Sequence, residues 1–168
     1  ILEHNPLLHL VGPCSPEEFA TRHILESLTM LEFLPQNATF IDIGSGGGLP
    51  ALPCLLVRGD LNAILVESKA KKAEFLKIAI ERLGLDKRAR VENKQFAEAS
   101  PRTAQFVSCR AIDKFTQHLP RILKWAEGRK LLLFGGPAIQ GLLQDYRIDF
   151  VQRLMPLSEQ RFLFISKR

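Results

Sequence analysis

Residues 40–50 read Phe40-Ile41-Asp42-Ile43-Gly44-Ser45-Gly46-Gly47-Gly48-Leu49-Pro50. A β-branched apolar run ends on an acid, and four glycines within five residues then lead into the apolar stretch 49–57. Runs of this kind read as a buried strand, and the stretch beyond as a helix. Glycine has no Cβ, so the turn between them can adopt positive φ and lie close against a ligand that any side chain would push away. A tight turn alone needs one or two such residues. The surplus points to a small-molecule site at the end of a strand.

Working outward, strand-like and helix-like segments alternate. Ser15-Pro16-Glu17-Glu18 has the form of a helix start, with a Ser cap, Pro in the first turn and acids at the positive end of the dipole. A helix is expected from Pro16 to about Leu34, with a break near His23. Thr39–Ile43 and Asn62–Glu67 read as strands, and Lys69–Leu83 as an amphipathic helix closed by Gly84. Ala89–Asn93, Gln105–Cys109 and Lys130–Phe134 follow as strands, with a helix over Lys114–Ala126. Phe150–Leu154 and Arg161–Ser166 form a closing hairpin pair. Such alternation favours an open, mostly parallel sheet with helices on both faces. Its ligands bind beyond the carboxyl ends of the strands, where the glycine turn lies.

Composition bounds the class. The 168 residues, 46% of them hydrophobic, suit one domain with its own core. No apolar run reaches membrane-spanning length, and the start lacks the form of a signal peptide. Three scattered cysteines suggest neither a disulfide framework nor a zinc site, so a soluble protein of the reducing cytoplasm is expected. Residue 1 is Ile rather than Met, and further N-terminal sequence is expected. The net charge of +5 is unevenly spread: residues 1–68 carry two basic and eight acidic side chains, residues 69–168 twenty-one and ten. A polyanion such as RNA would suit the second part, as would ordinary solvated helix faces.

Two cofactor classes fit the turn. Gly46-Gly47-Gly48-Leu49-Pro50-Ala51 satisfies the dinucleotide spacing G-x-G-x-x-A, but leaves Gly44 unused and puts Pro50 in the close helix–strand contact. The pattern Asp42-x-Gly44-x-Gly46-x-Gly48 uses every conspicuous residue and resembles motif I of the Rossmann-like S-adenosylmethionine methyltransferases. Glu67, twenty-one residues past Gly46, stands where either class would place an acid to accept two ribose hydroxyls. It equally suits the start of the following helix.

Five segments in order narrow the resemblance. Arg22-His23-Ile24-Leu25-Glu26-Ser27-Leu28, DIGSGGGLP, Glu67-Ser68-Lys69-Ala70-Lys71-Lys72, Phe96-Ala97-Glu98 and Ser108-Cys109-Arg110-Ala111 together resemble the RsmG (GidB) family. That resemblance implies a class I, Rossmann-like S-adenosylmethionine methyltransferase fold: a seven-stranded, mostly parallel α/β sheet with helices on both faces. It implies a single domain, 1–168, with an N-terminal helical cap over 1–36 and a catalytic core over 37–168. It also implies methylation of guanine N7 in 16S ribosomal RNA, free or in the small subunit, by a cytoplasmic, metal-free monomer that releases S-adenosylhomocysteine.

By the same resemblance Asp42, Gly44, Gly46, Leu49, Glu67, Ala97, Glu98 and Arg110 bind the cofactor, and Arg110 and His23 are the catalytic candidates. Lys69, Lys71, Lys72, Arg121 and Lys124 are the candidate RNA contacts, with Lys77, Arg129 and Lys130 near them. Two departures stand out: the family's Asn-Leu-Thr is His9-Leu10-Val11 here, and its Leu-Lys-Gly is Phe134-Gly135-Gly136, without the lysine.

Guanine N7 has an in-plane lone pair and no proton, so this reaction needs positioning rather than a general base. No Asn/Asp-Pro-Pro-Tyr/Phe stretch for exocyclic amines occurs, and the Pro-Cys pairs at 13–14 and 53–54 lie away from the loop that a cytosine C5 enzyme would use. The alternatives that stay open are an NAD- or FAD-dependent oxidoreductase and a methyltransferase-like RNA-binding protein without catalysis.

Overall fold

Strand β1 (Thr39–Ile43) is the hub of the molecule, hydrogen-bonded in parallel to β2 (Asn62–Val66) on one side and β4 (Phe106–Arg110) on the other. The computed structural model describes residues 1–110 and 115–167. Its sheet runs β3-β2-β1-β4-β5-β7-β6, with β3 (Ala89–Glu92), β5 (Lys130–Gly135), β6 (Phe150–Leu154) and β7 (Phe162–Ser166). The first five strands are parallel, and β7 enters antiparallel between β5 and β6. The order reverses between β1 and β4, so a cleft opens beyond their carboxyl ends.

The alternation of side chains fills two cores. Phe40, Leu65, Phe106 and Leu132 face one way, against α4 (Ala51–Val57) and α5 (Ala70–Arg82) through Leu55, Leu76 and Ile80. Ile41, Ile43, Ile64, Val66 and Val107 face the other, against α6 (Phe115–Trp125) and α7 (Pro137–Asp145) through Leu119, Ile122, Ile139 and Leu143. Strands buried on both faces read as continuous apolar runs, which is why NAILV and TFIDI look alike in sequence.

The strands fall where the sequence places them, within a residue or two at each end. The helices depart more. The expected helix over 16–34 is a composite: α2 (Pro16–Glu18), a π-helical segment Phe19–Leu25, α3 (Glu26–Leu28) and a 3-10 turn Thr29–Phe33. Ser15 caps it, its hydroxyl accepting from Glu18 N while the Glu18 carboxylate accepts from Ser15 N. The short α1 (Asn5–Leu8) and α7 were not anticipated; Gly136, Pro137 and Gly141 mask the period of α7. Lys114, expected to open α6, and Ala111 lie outside the described residues.

Candidate active site

The glycine turn opens onto a cavity of about 470 Å³ lined by Gly44, Ser45, Gly46, Gly47 and Leu49 from the turn, Glu67, Ser68, Lys69 and Lys72 beyond β2, Arg110 from β4, His23, and residues 9–12. The turn residues divide their work. Gly44 and Gly46 take positive φ, 68° and 52°, and present bare backbone to the cavity. Gly48, at a φ of 83°, also serves packing: a Cβ there would stand 2.3 Å from Leu52 Cδ1, so its bareness lets Leu52 of α4 pack against the turn.

Glu67 closes on the turn. Its Oε2 accepts from Gly46 N at 2.9 Å and its Oε1 from Lys69 N at 2.8 Å. Each oxygen keeps a second lone pair, enough to receive a vicinal diol. Asn93 steadies the same corner by donating to the carbonyls of Glu67 and Ser68.

Asp42 lies beneath the turn, fully buried and outside the cavity lining. Ser108 Oγ donates to its Oδ1 at 2.7 Å, while Oδ2 has no hydrogen-bond partner among the described residues. Burial pushes its carboxyl up to about 7, opposed by the Ser108 and Ser45 hydroxyls.

Arg110 crosses the cleft to the N-terminal helix. Its guanidinium donates to the carbonyls of Arg22 and His23, to Ser27 Oγ at 3.2 Å and to Glu26 Oε2 at 3.0 Å. The His23 carbonyl is shared, since it also accepts from Glu26 N and from Ser27 Oγ. The guanidinium also lies 5.6 Å from the centre of the Phe134 ring. His23 Nδ1 is 3.3 Å from Arg110 Nη2. A guanidinium only donates, so Nδ1 is the acceptor and the imidazole proton sits on Nε2. Burial, then the charges of Arg110, Arg22 and Arg161, lower the His23 pKa to about 4, and the ring is neutral at pH 7.

A strap formed by residues 9–12 covers the turn. Lys72 Nζ donates to His9 O at 2.7 Å, and Asn5 Oδ1 accepts from the amides of Leu10 and Val11. His9 sits at the left-handed φ of 48°, a conformation open to Asn and His alike.

The structure brings together Gly44, Gly46, Leu49, Glu67, Arg110, His23, Lys69 and Lys72. Others it leaves apart. Ala97 and Glu98 occupy an exposed 3-10 turn, Phe96–Glu98, where the Glu98 carboxylate accepts from Gln95 N. Lys71 faces a separate apolar groove between α4 and α5. Arg121 lies over the Phe96 ring and Lys124 is exposed, both on α6, across the sheet from α5. Cys54 is core, its thiol on Ser27 O and pushed up to about 12 by burial. The missing lysine has a steric counterpart: a Cβ on Gly135 would meet Ile139 Cγ1 at 2.6 Å.

Sequence reasoning missed Glu26 and Arg161. Arg161 Nε donates to Glu26 Oε1 at 2.8 Å, so this carboxylate holds two arginines. Glu26 stood inside a quoted segment, but a lone arginine 135 residues away gives no signal in one sequence.

Comparison with known proteins bears on the whole. Residues 1–139 match the GidB family model, described as rRNA small subunit methyltransferase G. Proteins named ribosomal RNA small subunit methyltransferase G are similar in Magnetococcus marinus (34% identity, 87% of this chain and 68% of the relative) and Mycolicibacterium vanbaalenii (36%, 87% and 63%). The one from Neisseria gonorrhoeae is 32% identical over 98% of this chain and 83% of its own length. The chain thus spans about two thirds of the first two relatives.

Among solved structures, an S-adenosylmethionine-dependent methyltransferase from Aquifex aeolicus superposes with TM-score 0.67 at 15% identity, over 90% of this chain and 93% of that one. Pyrococcus horikoshii TYW2, solved with MeSAdo, superposes with TM-score 0.66 at 17% identity, over 92% and 64%. The fold is that of the Rossmann-like S-adenosylmethionine methyltransferases.

Proposed function

The chain belongs to the GidB family of rRNA small subunit methyltransferase G proteins, and from that premise we propose that it transfers a methyl group from S-adenosylmethionine to guanine N7 of small-subunit ribosomal RNA. The observation that carries the reading is Glu67, a carboxylate hydrogen-bonded to the amide of Gly46 on the rim of a cavity floored by bare backbone. Bare backbone at Gly44 and Gly46 and an acid for a ribose diol fit this cofactor, and a cavity of about 470 Å³ is of the right order for it.

The cofactor, when bound, supplies an electrophilic sulfonium methyl. The chain's own residues do the rest by binding and orientation. In this reading Glu67 takes the ribose hydroxyls, Gly44, Gly46 and Leu49 lie along the cofactor, and Asp42 supports the turn from beneath. His23, neutral and protonated on Nε2, serves as a hydrogen-bond donor and not as a base, which suits a nucleophile with no proton to lose. Arg110 supplies a fixed positive charge beside it. Lys69, Lys71, Lys72, Arg121 and Lys124 remain the candidate RNA contacts, and Ala97 and Glu98 the candidate border of the adenine. The reading takes 1–36 as a cap on a core over 37–168, in a metal-free monomer of the bacterial cytoplasm; among the described residues no helix is long and apolar enough to cross a membrane.

Thermal-shift titration tests the cofactor, because a ligand of the native state raises its melting temperature. S-adenosylhomocysteine is expected to raise Tm, and NAD and FAD to leave it unchanged. Methyl label is then expected in guanine of small-subunit RNA or of isolated subunits. Stabilisation by NAD or FAD with none by S-adenosylhomocysteine would favour the oxidoreductase reading. S-adenosylhomocysteine binding with no transfer to either RNA substrate would favour a protein that binds without catalysing, the reading that the lysine-free Gly135 suggests.

A further inference from the structure

Glu26 is 2% exposed, yet it carries no apolar neighbour's role: its two oxygens face two guanidiniums. Oε2 holds Arg110, the last residue of β4, and Oε1 holds Arg161, the residue before β7. Removing such charges from water costs several kcal/mol per ion, and an apolar side chain of similar volume would tie these elements as well. Stability alone gives no reason for the arrangement. Its location does, because Arg110 lines the cavity and both arginines lie close enough to depress the His23 pKa.

The two guanidiniums are held differently. Arg110 is 14% exposed at its side chain and held by two carbonyls, a hydroxyl and the carboxylate. Arg161 spends its Nε and Nη2 edge on Glu26 and remains 39% exposed. It stands where β7 pairs with the end of β5, Phe162 opposite Gly135. One carboxylate against two guanidiniums leaves a net positive charge beside Arg110, which lines the cavity.

We infer that Glu26 is a positioning residue for methyl transfer: it fixes the Arg110 guanidinium at the cofactor cavity and holds the half-exposed Arg161 beside it, to meet the phosphates of the incoming RNA. This rests on the methyltransferase reading above. Loss of the carboxylate charge frees Arg161 and takes from Arg110 its salt-bridge partner, leaving it on two carbonyls and the Ser27 hydroxyl, so turnover falls while the glycine turn and Glu67, which bind the cofactor, are untouched.

The experiment compares the parent protein with Glu26→Gln and Arg161→Gln for S-adenosylhomocysteine binding, kcat and KM for small-subunit RNA, and the salt dependence of RNA binding. Glu26→Gln is expected to keep S-adenosylhomocysteine affinity within about threefold and to lose about tenfold or more in kcat, the pattern of an interaction made in the transition state. Arg161→Gln is expected to raise KM for RNA and to lower the slope of log K against log salt by about 0.7, one single-strand phosphate contact. A Glu26→Gln protein that melts lower but turns over like the parent below its Tm would reduce Glu26 to a structural tie and overturn the inference. Should Glu26→Gln fail to fold, Arg161→Gln decides, since Glu26 then still holds Arg110; unchanged KM and salt slope overturn it. No transfer by the parent protein itself sinks the underlying reading, and is told apart from these outcomes by that control.

Discussion

At the scale of single residues, the site is built from groups in costly states. Asp42 is buried with one oxygen unpartnered among the described residues, and its pKa is raised to about 7 by burial first. A carboxyl whose folded pKa is raised binds its proton more tightly in the native protein. Its contribution is therefore fully present below the unfolded value near 4 and is lost as pH rises through about 7. Asp42→Asn removes that dependence, so the variant's Tm is expected to fall less than the parent's between pH 5 and pH 8. Parallel pH dependences in the two proteins would contradict a buried, protonated Asp42.

Gly46 is the second such residue. Its φ of 52° is one that L side chains adopt at a cost, while its Cβ would find nothing closer than 3.7 Å. Gly46→Val is thus expected to cost about 1–3 kcal/mol of stability through backbone strain and to abolish the S-adenosylhomocysteine thermal shift, with the far-ultraviolet spectrum retained.

At the scale of elements, what one sequence reveals follows from where the ordering force acts. β1 and β2 are set by their own composition and burial on both faces, so Thr39–Ile43 is legible to the residue and Asn62–Val66 to within one, Glu67 falling just past the strand. The N-terminal helix is legible at its start, where Ser15 and Glu18 form a local capping box, and an irregularity is expected near His23, but not the π-helical form that it takes over Phe19–Leu25. That geometry answers to Arg110, more than eighty residues away. The site divides in the same way: the glycine turn and Glu67 are visible as spacing, whereas the Glu26–Arg161 contact exists only once β7 is folded between β5 and β6.

Gly135 shows an element constraining a residue. The start of α7 packs Ile139 where a side chain at 135 would begin. Gly135→Lys, which restores the family's residue, is therefore expected to destabilise the fold by about 1–3 kcal/mol, the usual range for overpacking. Adding Ile139→Ala is expected to recover part of that loss, measurable as non-additive changes in chemical denaturation. Additive losses would mean that Ile139 is not the obstacle.

At the scale of the whole molecule, the sheet decides which basic side chains one RNA can touch. α5 begins at the carboxyl end of β2, so Lys69 stands at the level of the cavity, which it lines. α6 packs on the opposite face, and its rise of about 1.5 Å per residue carries Lys124, nine residues beyond Phe115, some 14 Å along the helix. Arg121 is further occupied over the Phe96 ring. An RNA whose target base enters the cavity meets Lys69 at its lining, while the α6 pair lies on the opposite face of the sheet from α5.

Salt dependence separates the two, because each neutralised phosphate of a single strand contributes about 0.7 to the slope of log K against log salt. Lys69→Gln is expected to lower the slope by about that amount. Arg121→Gln with Lys124→Gln is expected to change it by less than one such step. A larger loss from the α6 pair than from Lys69 would mean that the RNA approaches across α6, and that the basic excess of residues 69–168 acts on both faces at once.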